Sequence, residues 1–422
     1  MNKKRILFIS DSIFSAPTGV SNVAINIVTE LVKDFNLFLL GVNLSATDED
    51  CVTIKDYSQH FNTDSQVLLL NQRNFGTNNT FEFLFSVYKF DAVLLLSDPH
   101  FHNEFFRLHH KVKQICPIIW YNIWDSKPIP YQNLPYYDSC DTLLNISSLT
   151  QEIVEEVLGD KVGNKIVKYV PHGVNLDVFY KIVENSPEYF ECKKFKKKIL
   201  GDNPPKFMLF FNSKNIRRKN IGTLLETYKL LLDEGLDIGL LMHTGWIGDY
   251  NLDLYIDAIF GKDFDWNNKI FVTNQVPMTP TQMRWLYNIC DLTVLTSYNE
   301  GWGLSLTESL ACDKPFVAPN IGGMSDQIKA VYDENYWIPA LDVNPSIKVS
   351  TLVEPLYQSY VDPSDVFDSI MDVYNNTQDC YGYRKVAEEY FDAKVMSSTI
   401  SKYIKESIEN FVPHKKFTIT KC

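Results

Sequence analysis

The sequence has no apolar run near the roughly 18 residues needed to span a bilayer, so a transmembrane helix is not expected. Its eight cysteines (Cys51, Cys116, Cys140, Cys192, Cys290, Cys312, Cys380 and Cys422) form no C-x-x-C pair and no metal-ligand spacing. Several lie in apolar stretches, as a reduced cytosolic protein would place them. There is no basic excess either: 40 Lys and Arg stand against 52 Asp and Glu, a net charge of -12. That balance disfavours a nucleic-acid partner, which would need a basic face, and still allows a local basic cleft. The start, Met1 to Ser10, carries Lys3, Lys4 and Arg5, but its apolar run is only about four residues and no small-residue cleavage site follows. It reads as a buried first strand, and the protein as cytoplasmic. With 45% hydrophobic and 14% aromatic residues over 422 positions, the chain can bury two cores.

Strand-like and helix-like stretches alternate along the chain, the pattern of α/β domains with parallel sheets. Expected strands are Arg5–Ser10, Asn36–Val42, Gln66–Leu70, Asp91–Ser97, Pro117–Tyr121, Thr142–Ile146 and Ile166–Val170 in the first half. In the second they are Phe207–Phe211, Ile238–His243, Lys269–Thr273, Leu292–Thr296 and Pro315–Ala318. Residues 1–175 read as one Rossmann-like domain and 206–385 as a second. The polar stretch 176–205, with its lysine run and Pro204-Pro205, reads as the linker between them, and 386–422 as a helical segment packing back on the first domain. The lysines suit either a solvated helix face or contact at the periphery of a membrane. Residues 340–360 fit no element. Doubly wound domains bind ligands at the carboxyl ends of their strands, so the loops that follow strands carry the argument.

One such loop is Tyr298-Asn-Glu-Gly-Trp-Gly-Leu-Ser-Leu-Thr-Glu308. Gly301 and Gly303 permit a tight turn and close approach of a ligand to the backbone. The N–H groups of the helix expected from Leu304 lack intrahelical acceptors and favour an anion. Glu300 precedes the turn and Glu308 lies about 1.5 helical turns inside, so the two carboxylates suit opposite ends of a long polar ligand. A second such loop, Asn212-Ser-Lys-Asn-Ile-Arg-Arg-Lys-Asn220, gathers four cations.

These stretches resemble the retaining glycosyltransferases of GT-B fold that share a Glu-x7-Glu signature, the family 4-like group. Val170-Pro-His-Gly-Val-Asn-Leu-Asp-Val-Phe179 is similar to the family's interdomain stretch. Ala318-Pro-Asn-Ile-Gly-Gly-Met-Ser-Asp326 is similar to its Gly-Gly-x-x-Glu turn, with Asp326 for Glu. The resemblance implies two Rossmann-like domains facing each other across a cleft, with a C-terminal helix crossing back. It implies transfer of a hexose from a UDP- or GDP-sugar, as co-substrate, to a saccharide, lipid-linked, protein or other hydroxyl acceptor. No cofactor and no metal would be needed. An epimerase of the same fold, or a catalytically silent binding subunit, is the alternative.

By the same resemblance Lys219 would hold the diphosphate, with Lys214 or Arg218 beside it, stabilising the charge of the departing phosphate. Glu308 would accept from the ribose hydroxyls and Glu300 would face the sugar. Gly19, Gly301, Gly303 and Leu304 would approach the donor through their backbone, and Val276 in the loop Asn274-Gln-Val-Pro277 would lie against the base. The family's usual cleft histidine is missing: the chain reads Trp120-Tyr-Asn-Ile-Trp-Asp125. Asp125 or Asn122 would take its place near the acceptor. Trp124, His100 and His172 are further acceptor-side candidates, and Trp120, Tyr121, Trp124, Tyr131, Tyr136 and Tyr137 form either a stacking platform or core. Asp263-Phe-Asp265 and Asp48-Glu-Asp50 read as solvated loops rather than metal sites.

Overall fold

The computed structural model describes residues 3–11, 18–42, 53–72, 74–274, 276–343, 347–350, 355–376 and 382–415. The chain divides into two compact units. The first comprises residues 1–124, 129–173 and 393–422; the second comprises 125–128 and 174–392.

The first unit holds one eight-stranded sheet. Its strands are β1 (Lys4–Asp11), β2 (Phe35–Val42), β3 (Thr53–Asp56), β4 (Val67–Gln72), β5 (Ala92–Leu96), β6 (Ile118–Asn122), β7 (Thr142–Asn145) and β8 (Ile166–Tyr169). They lie in the order β3-β4-β2-β1-β5-β6-β7-β8, parallel except for the edge strand β3. The apolar runs Ile6 to Ile9 and Ala92 to Leu96 are fully buried, as strands covered on both faces must be. The strand order reverses between β1 and β5. The helix Gly19–Leu31 starts after β1, where Thr18 accepts the Ser21 N–H at 3.0 Å as N-cap. Against it packs the helix Ala393–Asn410, burying Ile400 and Ile404. Ser401 and Lys405 both bond Asp34 at 2.7 Å, and Thr142 and Ser407 share a buried hydroxyl contact at 2.6 Å.

The second unit holds a parallel six-stranded sheet of β9 (Phe207–Asn212), β10 (Ile238–His243), β11 (Ile270–Val272), β12 (Leu292–Val294), β13 (Phe316–Pro319) and β14 (Ala340–Leu341). The order is β11-β10-β9-β12-β13-β14. The chain works outward from β9 through β10 to β11, then returns to the other side of β9. That reversal leaves a crevice between the carboxyl ends of β9 and β12. Within residues 340–360, β14 completes the sheet and a hairpin of β15 (Ile347–Ser350) and β16 (Pro355–Gln358) follows.

Two boundaries differ from expectation. The stretch 176–205 is part of the second unit and includes the helix Pro187–Leu200, which buries Cys192, Phe195 and Leu200. It is anchored by Glu188, whose Oε1 accepts from the Arg284 guanidinium and from Trp285 Nε1 at 2.9 Å. Its lysines look polar in sequence because they form the outer face of an amphipathic helix. The tail is two helices, Arg384–Tyr390 in the second unit and Ala393–Asn410 in the first, so the crossing comes at residues 391–393 rather than 386. Phe391 carries the break, buried and accepting the Val174 N–H at 2.8 Å. Among the described residues no helix is long and apolar enough to cross a membrane.

Ile404→Ala should destabilise the first unit by roughly 2–5 kcal/mol, the usual cost of a core cavity. Chemical denaturation followed by a fluorophore in each unit should show the first transition moving and the second unchanged.

Candidate active site

The loops after β9 and β12 meet at the strand-order reversal of the second unit. Lys219 and Glu300 form a buried ion pair there, through Nζ and Oε1. Ser297 Oγ donates to the same Oε1 at 2.8 Å, and Arg218 Nη1 to Oε2 at 3.0 Å. Arg218 also donates to the Asn299 carbonyl at 2.9 Å. Burial alone would push the Glu300 carboxyl up, but Lys219 and Arg218 outweigh it and hold it at about 2. Burial and the Arg218 charge pull the Lys219 amine down, against Glu300 and Asp125. Asp125 thus acts on the same ammonium, since residues 125–128 group with this unit.

Backbone ties fix the two loops to each other. The Tyr298 N–H donates to the Arg218 carbonyl at 2.8 Å, and Thr296 Oγ1 to the Asn220 carbonyl at 3.0 Å. Asn220, in the left-handed region at φ 51°, accepts from Tyr298 Oη through its amide oxygen at 2.9 Å. Asn215 holds the cationic loop from the other side: its amide bonds the Gly245 and Tyr250 carbonyls and the Tyr250 N–H. Asp249 accepts the Arg217 N–H at 2.7 Å. Lys214 and Arg217 remain exposed, Arg218 is half-exposed and Lys219 is buried. Arg218 is therefore more accessible to a ligand than Lys219.

Gly303 takes φ 85° and begins the helix Leu304–Ala311, leaving the N–H groups around Leu304 without intrahelical acceptors. Trp302 is buried under the turn, its Nε1 donating to Thr307, which donates in turn to Gln327 Oε1, both at 2.8 Å. Gln327 closes the ring on the Trp302 carbonyl at 2.7 Å. A Cβ on Gly322 would stand 2.2 Å from the Glu300 carbonyl oxygen, and one on Gly323 would stand 2.3 Å from that of Gly301. The glycine pair preceding Asp326 thus lets the helix Gly322–Asp333 abut the Glu300 turn.

Glu308 lies in a different environment. Its Oε2 accepts from Tyr287 Oη at 2.5 Å and from Asn212 Nδ2 at 3.5 Å, and Asn212 also donates to Tyr287 Oη at 2.8 Å. Burial pushes the Glu308 carboxyl up to about 7, with the Tyr287 hydroxyl opposing. Val276 is exposed, its N–H donating to the Thr273 carbonyl at 3.1 Å.

Residues 193–343, which span both loops, match the model of the "Glycosyl transferases group 1" family. That stretch is similar to a group 1 glycosyl transferase domain. The chain is 24% identical over 216 residues to a D-inositol 3-phosphate glycosyltransferase of Paenarthrobacter aurescens, covering 50% of this chain and 44% of that protein. The chain thus spans less than half the length of that curated relative. Among solved structures, the Anabaena protein HepE in complex with UDP and glucose aligns at a TM-score of 0.66 and 14% identity, over 96% of this chain and 100% of the other. Sucrose-phosphate synthase of Thermosynechococcus elongatus aligns at 0.69 and 14%, over 96% and 99%. These likenesses establish the two-domain α/β GT-B fold.

The crevice between β9 and β12 thus brings Lys219, Arg218, Glu300, Gly301, Gly303 and Leu304 together, with Glu308 farther along the same helix. In the first unit, Gly19 opens the helix after β1 and His100 lies exposed after β5, the two strands at its strand-order reversal. Other acceptor-side candidates are core. Trp124 is buried, its carbonyl accepting from Thr150 Oγ1 at 2.8 Å. Asn122 is buried and accepts the Trp124 N–H at 3.2 Å. Trp120, Tyr121 and Tyr137 are fully buried too, so most of the aromatic run fills the core. His172 is buried against Tyr121 Oη at 2.8 Å, and burial brings it down to about 3, keeping it neutral. His102 is enclosed by Phe75 and Trp120. Among the described residues no group of three His, Cys, Asp or Glu is placed to hold a metal. Asp265 closes a local turn on Asn267, and Asp48-Glu-Asp50 lies outside the described residues. Sequence pattern assigns no role to the side chains of Ser297, Gln327, Tyr287 and Asn212, because their roles come from tertiary contacts.

Lys219→Met should cost about 3 kcal/mol, the low end for a broken buried pair, because Arg218 and Ser297 still bond Glu300. Lys219→Met/Glu300→Gln should recover most of it in urea melts. The two carboxylates should also oppose each other in pH dependence. Glu300, held low at about 2, stabilises the fold above its unfolded value near 4.5, and that contribution is lost as pH falls toward 2. Glu308, raised to about 7, stabilises the fold below about 4.5, and that contribution is lost as pH rises through 7. Glu308→Gln should therefore gain stability relative to the parent between pH 5 and pH 8, measured by melting at each pH.

Proposed function

We propose that the protein transfers a hexose from a nucleoside-diphosphate sugar, UDP- or GDP-linked, to a hydroxyl acceptor with retention of anomeric configuration. One observation carries this reading. Two cations, Lys219 and Arg218, converge on Glu300 in the crevice between β9 and β12, beside a helix N-terminus and with a second carboxylate along that helix. A diphosphate with a ribose at one end and a sugar at the other matches that sequence of groups. The HepE complex with UDP and glucose favours UDP over GDP as the donor base.

In this reading Arg218 meets the diphosphate first, and Lys219 shares its charge between Glu300 and the departing phosphate. Charge grows on that phosphate as the glycosidic bond breaks, so fixed cations favour the transition state over the ground state. Amides around Gly303 and Leu304 meet sugar hydroxyls or phosphate, and Val276 meets the base. Glu308, once ionised, accepts from the ribose hydroxyls. Glu300 orients the sugar while it holds Lys219. Asp125, whose charge reaches Lys219, takes the acceptor hydroxyl, and the departing phosphate accepts its proton. No resident cofactor or metal has a role in this scheme. The protein acts in the cytoplasm or at the periphery of a membrane, where lipid-linked and free acceptors are both available.

Thermal melts with UDP, GDP and their sugars test the donor. At a ligand concentration one hundred times Kd, the cognate nucleotide should stabilise by about 2.7 kcal/mol. No shift with any of them, on folded protein, would end the reading. Glu308→Ala should weaken nucleotide binding about tenfold, roughly 1.4 kcal/mol, by calorimetry. Asp125→Asn should lower kcat at least tenfold with little change in donor affinity. Release of nucleoside diphosphate together with a new glycoside, rather than an isomerised donor, separates transfer from epimerisation.

A further inference from the structure

We infer that Tyr287 and Asn212 position Glu308 to distinguish ribose from 2′-deoxyribose in the bound nucleotide. The inference rests on the proposed ribose role of Glu308 and adds two residues to it.

The helix Pro280–Ile289 buries Tyr287 completely, its ring edge-on to Phe210 at 4.9 Å and to Phe179 at 5.8 Å. That packing fixes the phenol oxygen. Asn212, the last residue of β9, donates to it at 2.8 Å. A phenol oxygen that already accepts from an amide turns its own proton toward the remaining acceptor, which here is Glu308 Oε2 at 2.5 Å. The three groups form a directed chain: amide to phenol, phenol to carboxylate.

Its effect falls on the carboxylate. One oxygen of Glu308 is committed to Tyr287, which sets the plane and rotation of the group. A vicinal diol offers two donors, and a carboxylate held in one plane can receive both. A 2′-deoxyribose offers only one, which leaves an acceptor in a half-buried site unpaired. Sites built to bond a hydroxyl discriminate strongly against the analogue that lacks it. A carboxylate free to turn toward water would lose most of that penalty. Tyr287 is therefore a positioning residue, and Asn212 positions Tyr287.

The test compares UDP with 2′-deoxy-UDP (or the GDP pair, if the parent binds GDP) by calorimetry from pH 5.5 to 8.5. The parent should bind the ribonucleotide at least tenfold more tightly. Tyr287→Phe should lose about tenfold for the ribonucleotide and less than twofold for the deoxy analogue, so the ratio collapses. The pH midpoint of ribonucleotide binding should also move up, since the bond favouring ionised Glu308 is gone. Asn212→Ala, at a partly exposed strand end, should shift ratio and midpoint the same way and serves if Tyr287→Phe does not fold. A parent that prefers the ribonucleotide, with both ratio and midpoint unchanged in the folded variants, would overturn the positioning role alone. A parent that binds both nucleotides equally would overturn the discrimination. A parent that binds no nucleoside diphosphate would overturn the proposed function with it.

Discussion

The buried pair of Lys219 and Glu300 is the constraint on which the candidate site depends. It joins two loops about 80 residues apart in the chain, and they meet only because β9 and β12 are neighbours in the sheet. Around it the backbone ties from Tyr298 and Thr296, the Ser297 hydroxyl and the Arg218 fork all take their positions. Removing two charges from water is costly, and a well-packed apolar pair of similar volume is often at least as stable. The fold therefore does not need charge at this point for stability. The proposed transfer does, because a developing phosphate charge must find cations that are already fixed.

The same stretch holds two carboxylates in opposite conditions. Glu300 is ionised because cations crowd it. Glu308 is poised near neutral pH because burial raises it and its partners, a phenol and an amide, bring no positive charge to offset that. One group stays ionised over the physiological range, and the other lies where a small change of surroundings alters its charge. The difference comes from neighbours, since both are glutamates on one short segment.

Much of this frame was legible in the sequence. Glu300, Glu308 and the glycines between them are a local pattern, and local patterns survive without tertiary knowledge. The supports do not: Gln327 lies 20 residues beyond its partner Thr307, and Asn212 lies 96 residues before Glu308. Gln327 and Asn212 both lie in or beside stretches that stand out in the sequence, yet nothing there marks these two side chains as supports. Trp124 illustrates a second limit, since an aromatic at the end of a central strand reads alike whether it stacks on a sugar or fills a core. The stretch 176–205 illustrates a third. A helix that buries only Cys192, Phe195 and Leu200, with lysines on its other face, has the composition of a linker. The break at Phe391 has no Gly or Pro to announce it and depends on a contact with Val174.

The helix Ala393–Asn410 completes the first unit, yet it follows every strand of the second in the chain. During synthesis the second unit can therefore finish while the first is still missing a wall. Until that helix emerges, the face of Gly19–Leu31 that it covers is open to water, and Asp34 lacks the Ser401 and Lys405 partners it will acquire. Domains usually mature in the order they leave the ribosome. Here the amino-terminal unit must wait for its carboxyl-terminal piece, so a nascent chain passes through a stage in which the second unit is whole and the first is not.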